Sequence, residues 1–277
     1  MSVLITAADL LAADRGRTVL LDVRWALGDD LGRERYRDGH LPGAVFVDLE
    51  TELADPPSAA EGRHPLPSLQ RLEAAARRWG IREDDAVVAY DATGGLAAAR
   101  AWWLLRWGGL TDVRLLDGGL DAWVRAGGPT EAGDVVPAPG DVTLTGGGMP
   151  VLTIDEAAAL PSSGILLDAR AGERYRGEVE PVDPRAGHVP GAVSAPTTEN
   201  LAADGTFQPA GELAQRFAAL GVQPGETVGV YCGSGVTAAH EVAALAAAGI
   251  DAALWPGSWS QWSADPDRGI ATGPDRA

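Results

Sequence analysis

Val230-Tyr231-Cys232-Gly233-Ser234-Gly235-Val236-Thr237-Ala238 holds the only cysteine in a chain of 277 residues. An apolar run, 227–231, leads into it. A glycine-rich turn follows, and residues 237–248 then read as a helix. The order strand, tight turn, helix puts Cys232 where backbone N–H groups and a helix N-terminus converge. Such a point stabilises an anion, which favours the thiolate and makes the sulfur nucleophilic. A lone cysteine after an apolar strand can also be an inert buried thiol. The glycines on either side of Ser234 favour the reactive reading.

The surroundings of this stretch occur twice. Val19-Leu20-Leu21-Asp22-Val23-Arg24 matches Ile165-Leu166-Leu167-Asp168-Ala169-Arg170. Gly39-His40-Leu41-Pro42-Gly43-Ala44-Val45 matches Gly187-His188-Val189-Pro190-Gly191-Ala192-Val193. Ala86-Val87-Val88-Ala89-Tyr90-Asp91 matches the strand that ends in Cys232, so Asp91 stands where the second copy has its cysteine. Leu116-Asp117-Gly118-Gly119-Leu120-Asp121-Ala122-Trp123 matches Trp255-Pro256-Gly257-Ser258-Trp259-Ser260-Gln261-Trp262. Four matches in the same order, offset by about 140–148 residues, predict tandem domains. The expected ranges are 1–131 and 150–277, joined by a Gly- and Pro-rich linker over 132–149 that runs along the surface.

Each copy alternates short apolar runs with helical patterns. Strands are expected at 19–23, 86–90, 113–116, 165–168, 227–231 and 252–255. Their lack of polar alternation suits parallel strands buried on both faces. Helices are expected at 68–79, 96–107, 211–220 and 237–248, and Thr153-Ile154-Asp155-Glu156 reads as a capping box opening another. The class is α/β, with sites at the carboxyl ends of the strands. Cys232 lies at such an end.

A formal net charge of −17 argues against nucleic acid or an anionic membrane as the main partner. It leaves room for a small anionic substrate held by local arginines. One cysteine excludes an intrachain disulfide. The first residues show no signal-peptide pattern and no run is long enough to span a membrane, so a cytoplasmic protein is expected. The four histidines and one cysteine show no metal-ligand spacing, and Asp117-Gly118-Gly119 lacks a dinucleotide fingerprint, so no cofactor is expected.

Taken together, the tandem Leu-Asp-x-Arg, the Gly-His-x-Pro-Gly-Ala turns, the strand ending in cysteine and the Gly-Gly/Ser-x-x-x-Trp segments resemble the two-domain rhodanese sulfurtransferases. The resemblance covers nearly the whole chain. It implies two rhodanese-like domains, each a parallel sheet flanked by helices, of which only the second is catalytic. Asp91 fits that asymmetry, because a carboxylate cannot carry a sulfane sulfur. Within the family, thiosulfate enzymes typically place basic residues directly after the cysteine. Cys-Gly-Ser-Gly-Val-Thr-Ala is instead similar to the loop of the 3-mercaptopyruvate enzymes, and Gly233 and Ser234 bring no charge.

The resemblance also implies site residues. The amides of Gly233, Gly235, Val236 and Thr237 would stabilise a persulfide on Cys232. Arg176 and Arg185 would bind the carboxylate and keto oxygen of a 2-oxo acid; by spacing alone they could equally pair with Glu178, Glu180 and Asp183. Arg174 reads as the surface residue. Asp55 and His64, from the first copy, would join Ser234 in a proton relay, with the serine acting as an acid rather than a nucleophile; a mobile Pro-rich loop is the other reading. His40 and His188, present in both copies, read as structural, as do Asp22 and Asp168. His240 reads as a packing residue, and Trp25 and Trp259 as walls of the pocket.

The expected chemistry moves sulfane sulfur from 3-mercaptopyruvate through Cys232, releasing pyruvate. The acceptor would be cyanide or a thiol such as reduced thioredoxin. A thiosulfate donor stays open, as does a non-catalytic sulfur carrier. A phosphatase of related fold would need an arginine closing the loop, and the residues up to Ala238 offer none.

Overall fold

In a computed structural model the chain is described over residues 2–13 and 16–276. Met1, Asp14, Arg15 and Ala277 lie outside the described residues, and with them the outermost ends of the two expected ranges. Nine strands are described: β1 Leu4–Ile5, β2 Thr18–Asp22, β3 Val45–Phe46, β4 Ala86–Tyr90, β5 Val113–Leu116, β6 Ile165–Asp168, β7 Val193–Ser194, β8 Val228–Tyr231 and β9 Ala253–Leu254. They form two sheets, ordered β1-β5-β4-β2-β3 and β7-β6-β8-β9. Every pairing within them is parallel.

The two sheets share one register. Asp22 lies opposite Tyr90 and Asp168 opposite Tyr231, so Asp91 and Cys232 each begin just past the carboxyl end of a central strand. All four residues of β6 and of β8 are buried, as their unbroken apolar runs require. β1, β3 and β7 were not expected. Each is two residues long, too short to show any periodicity, and exists through pairing with a longer neighbour. In the second sheet Val151 bridges Leu254 in parallel, repeating what β1 does against β5.

The expected helices form with small changes at their ends. Leu69–Arg78 is capped by Ser68, whose Oγ accepts from Arg71 N, and it buries Leu72, Ala75 and Ala76 on one face. Thr153 and Glu156 form the capping box. Ala98–Trp107 starts two residues later than expected, because the N–H groups of Ala97 and Ala98 turn to the Asp91 carboxylate. Among the described residues no helix is long and apolar enough to cross a membrane.

The chain forms two compact units whose boundaries depart from the repeat boundaries. The first comprises Met1–Asp55, Pro67–Met149 and Ala202–Phe207; the second comprises Pro56–Leu66, Pro150–Leu201 and Gln208–Ala277. Two short segments have thus changed sides. Phe207 N donates to Asp117 and Arg125 to Asp204 O within the first unit. In the second unit, Gln261 donates to Ala60 O. The expected linker 132–149 belongs to the first unit: Gly140, Val142 and Thr145 donate to Arg77, Ile81 and Gly108 carbonyls, and Val142 and Leu144 are buried.

Candidate active site

The loop after β4 is the repeat counterpart of the cysteine loop after β8. Asp91 is buried, and its carboxylate accepts four backbone N–H bonds. Oδ1 takes Thr93 N and Gly95 N, both at 2.8 Å; Oδ2 takes Ala97 N at 2.8 Å and Ala98 N at 2.9 Å. The loop is an anion nest at the start of the helix Ala98–Trp107, filled by the side chain of its own first residue.

In the second unit Cys232 holds the equivalent position and is buried. Gly235 N donates to its sulfur at 3.2 Å. Gly235 has φ +76°, and a Cβ there would meet Pro256 O at 2.5 Å, so only glycine fits the turn. The loop is pinned from the segment after β9. Trp259 N donates to Cys232 O, Ser260 N to Gly233 O, and Cys232 N to Ser258 Oγ at 3.1 Å. Ser258 carries this bond at φ +53°, a conformation its repeat partner Gly119 adopts with φ +57° and no side chain to strain. Ser258 escaped the sequence reading. Its signal was the Gly119-to-Ser258 difference between the two copies.

Ser234 and His64 come together in the second unit. His64 Nδ1 lies 2.7 Å from Ser234 Oγ, and both side chains are buried. His64 is held by its chain neighbours: Arg63 N donates to Ser260 Oγ at 3.0 Å, and Gly62, at φ +91°, sits against Gly257 where a Cβ would come within 2.6 Å of its carbonyl oxygen. Asp55 belongs to the first unit, where its Oδ1 is 2.7 Å from Arg71 Nη1.

The three arginines of the segment after β6 are placed differently from one another. Arg176 faces solvent and pairs through Nε and Nη2 with both oxygens of Glu178, at 2.8 Å each. That hydrogen bonding raises its pKa further. Arg185 donates to the carbonyls of Ser263, Arg268, Trp262 and Asp265, closing the end of the helix Ser258–Ala264. Carbonyls left open at a helix end attract such a fork. The guanidiniums that approach the cysteine loop are those of Arg174 and Arg63. A Cβ on Gly233 would lie 3.4 Å from Arg174 Nη1 and 3.3 Å from Arg63 Nη2. Arg174 is therefore not the surface residue of its segment; Glu180 and Asp183 draw it inward. Its two-residue spacing from Arg176 concealed this, since the segment forms only the single helical turn Gly172–Tyr175.

The paired histidines are structural. His40 Nδ1 meets Tyr36 O and the ring stacks on Tyr36 at 4.0 Å; His188 does the same with Tyr175 at 3.7 Å. Burial lowers the His188 pKa. Asp22 pairs with Arg24 and Asp168 with Arg170, and each arginine reaches a glycine carbonyl, Gly39 or Gly187. Desolvation raises Asp22 to about 6. His240 is buried, with Nδ1 2.7 Å from Thr197 Oγ1. Trp259 is a core residue lying under Arg170 at 4.5 Å, not a pocket wall, and Trp25 donates to Glu50 in the first unit. Among the described residues no group of histidine, cysteine or acidic side chains could hold a metal ion.

A buried cysteine just past the carboxyl end of a parallel strand, in a loop whose repeat counterpart wraps a carboxylate in backbone N–H groups, marks the candidate sulfur-transfer site of a duplicated α/β fold. The Rhodanese-like domain model matches residues 6–126 and 153–265, and the chain belongs to the rhodanese family. It is 52% identical to a Mycobacterium tuberculosis protein provisionally named thiosulfate sulfurtransferase SseB, over 98% of this chain and 97% of that one. It is 48% identical to a Pseudomonas aeruginosa protein provisionally named 3-mercaptopyruvate sulfurtransferase, over 98% of each chain. The solved structure of Escherichia coli SseA, described as a 3-mercaptopyruvate sulfotransferase, superposes with a TM-score of 0.83 at 32% identity, covering 94% of this chain and 100% of that chain.

Proposed function

We propose that the protein is a 3-mercaptopyruvate sulfurtransferase working through a Cys232 persulfide. The observation that carries this reading is the 2.7 Å contact between His64 Nδ1 and Ser234 Oγ, two residues along the loop from the nucleophile. A sulfur donor whose leaving group must be protonated needs such a couple; one whose leaving group departs as a stable anion does not.

The Cys232 thiolate attacks the thiol sulfur of the substrate. The new S–S bond forms as the C–S bond breaks, and the electron pair leaves with pyruvate as its enolate. Ser234 delivers a proton to the enolate carbon and His64 replenishes it. Arg174, whose guanidinium approaches Gly233, takes the carboxylate, rather than Arg176, which pairs with Glu178, or Arg185, which binds the carbonyls after the helix Ser258–Ala264. The loop amides from Ser234 to the first turn of Thr237–Ala247 take the outer persulfide sulfur, by the precedent of the Asp91 carboxylate. With one cysteine in the chain, discharge requires an external nucleophile: cyanide in an assay, or a thiol such as a reduced thioredoxin. The setting we propose is the cytoplasm.

The test is steady-state release of pyruvate from 3-mercaptopyruvate with cyanide as acceptor, for the wild type and Cys232→Ser. Turnover by the wild type and none by the variant is expected. Turnover surviving in Cys232→Ser refutes the scheme.

A further inference from the structure

The carboxyl end of β6 is joined to the cysteine loop by a ladder of six alternating charges. Asp168 contacts Arg170 at 2.6 Å, Arg170 contacts Glu180 at 3.4 Å, and Glu180 contacts Arg174 at 2.6 Å. Arg174 contacts Asp183 at 3.3 Å, and Asp183 contacts Arg63 at 2.7 Å. The inner members are almost wholly buried, while the side chains of Arg174 and Arg63 are 18% and 23% exposed. The ladder therefore surfaces in two guanidiniums, both over Gly233.

One feature sets both of these guanidiniums apart from an ordinary ion pair, and two more set Arg63 apart. The Nε of each is buried with no hydrogen-bond partner among the described residues, so each retains a donor that calls for an acceptor. Arg63, at the end of the ladder, has a single carboxylate partner, whereas Arg170 and Arg174 each have two. The backbone of Arg63 is fixed through Ser260 Oγ, so the side chain is held over the loop. The loop itself, Gly233 to Thr237, carries no charge. The cation that a doubly charged donor requires is absent from the cysteine's own segment but present on another.

We propose that Arg63 is a specificity-determining residue that, with Arg174, forms a two-guanidinium cradle favouring doubly charged sulfur donors over singly charged ones. The proposal rests on Cys232 being the persulfide-forming nucleophile. With thiosulfate as the probe, the Cys232 thiolate attacks the outer sulfur, the S–S bond of thiosulfate breaks, and sulfite leaves with the electron pair and both negative charges. A planar guanidinium suits three equatorial oxygens better than a point charge does. A carboxylate donor engages one guanidinium and gains less from the second.

The test is kcat/KM for thiosulfate and for 3-mercaptopyruvate, each with cyanide, in the full-length wild type, Arg63→Gln and Arg63→Lys, with folding checked by circular dichroism. In Arg63→Gln the thiosulfate value should fall by about tenfold or more, the scale of one charge-assisted hydrogen bond, and the mercaptopyruvate value by less than about threefold. Arg63→Lys should recover part of the ratio. The inhibition constant for sulfite should rise in Arg63→Gln. Parallel losses for both donors, or an unchanged thiosulfate value, overturn the proposal while leaving the proposed function standing. No turnover of either donor by the wild type overturns the proposed function instead.

Discussion

Replacing Asp91 with asparagine tests the idea that the first loop is an anion nest occupied by its own side chain. Four N–H groups converge on the carboxylate, two on each oxygen, at 2.8–2.9 Å in a buried site. Asparagine retains one acceptor oxygen and turns an NH2 group toward the other two donors. Each buried donor left without a partner costs about 1–3 kcal/mol, so the variant should lose about 2–6 kcal/mol. For a unit of this size each kcal/mol moves the midpoint by roughly 2–4 °C, so the thermal transition of the first unit should drop by on the order of 10 °C. Differential scanning calorimetry reads this directly and resolves the transitions of two units if they unfold separately. A shift below about 2 °C would refute the reasoning, and with it the use of Asp91 as a guide to where the persulfide sits.

The remaining predictions concern the chemistry and the buried charge. Ser234→Ala and His64→Gln should each lower pyruvate release from 3-mercaptopyruvate by ~10²–10⁴-fold, the usual range for general acid–base assistance. They should lower turnover of thiosulfate far less, because sulfite departs without a proton; equal losses with the two donors would remove the relay. Cys232→Ser, treated with donor alone, should show no sulfur adduct by intact-protein mass spectrometry, whereas the wild type gains one sulfur atom. The raised Asp22 also gives stability a defined pH dependence. Folded Asp22 holds its proton up to about 6, whereas the unfolded chain releases it near 3.8, so this residue's contribution falls as pH rises through that window and is flat outside it. The change is about 3 kcal/mol at ~1.4 kcal/mol per pH unit. Urea midpoints measured from pH 4 to 6 should diverge between wild type and Asp22→Asn over this range; parallel curves would contradict the assignment.

The fold class and the duplication were legible in the chain because they depend on local patterns. Unbroken apolar runs mark strands buried on both faces, Thr153 and Glu156 mark a helix start, and Asp91 against Cys232 marks where the two copies differ. The Ser234–His64 couple was readable only through resemblance, since 170 positions separate the two.

What tertiary structure alone decided is which charged groups reach the loop and where the units begin. Residues 174, 176 and 185 offer arginine in one short segment, and nothing in their order distinguishes them. Carboxylates from neighbouring turns do: Glu178 takes Arg176 outward, Glu180 and Asp183 take Arg174 inward, and the open carbonyls after the helix Ser258–Ala264 take Arg185. Pro56–Leu66 belongs by sequence to the first copy but packs in the second unit, carrying His64 to Ser234 and Arg63 to Gly233. Strand and helix patterns are set by interactions within a few residues. Which carboxylate or carbonyl an arginine meets depends on how the turns pack, even when the partners are 2 to 9 positions apart, and the Arg63–Asp183 and His64–Ser234 contacts join groups 120 and 170 positions apart, which chain order does not encode locally.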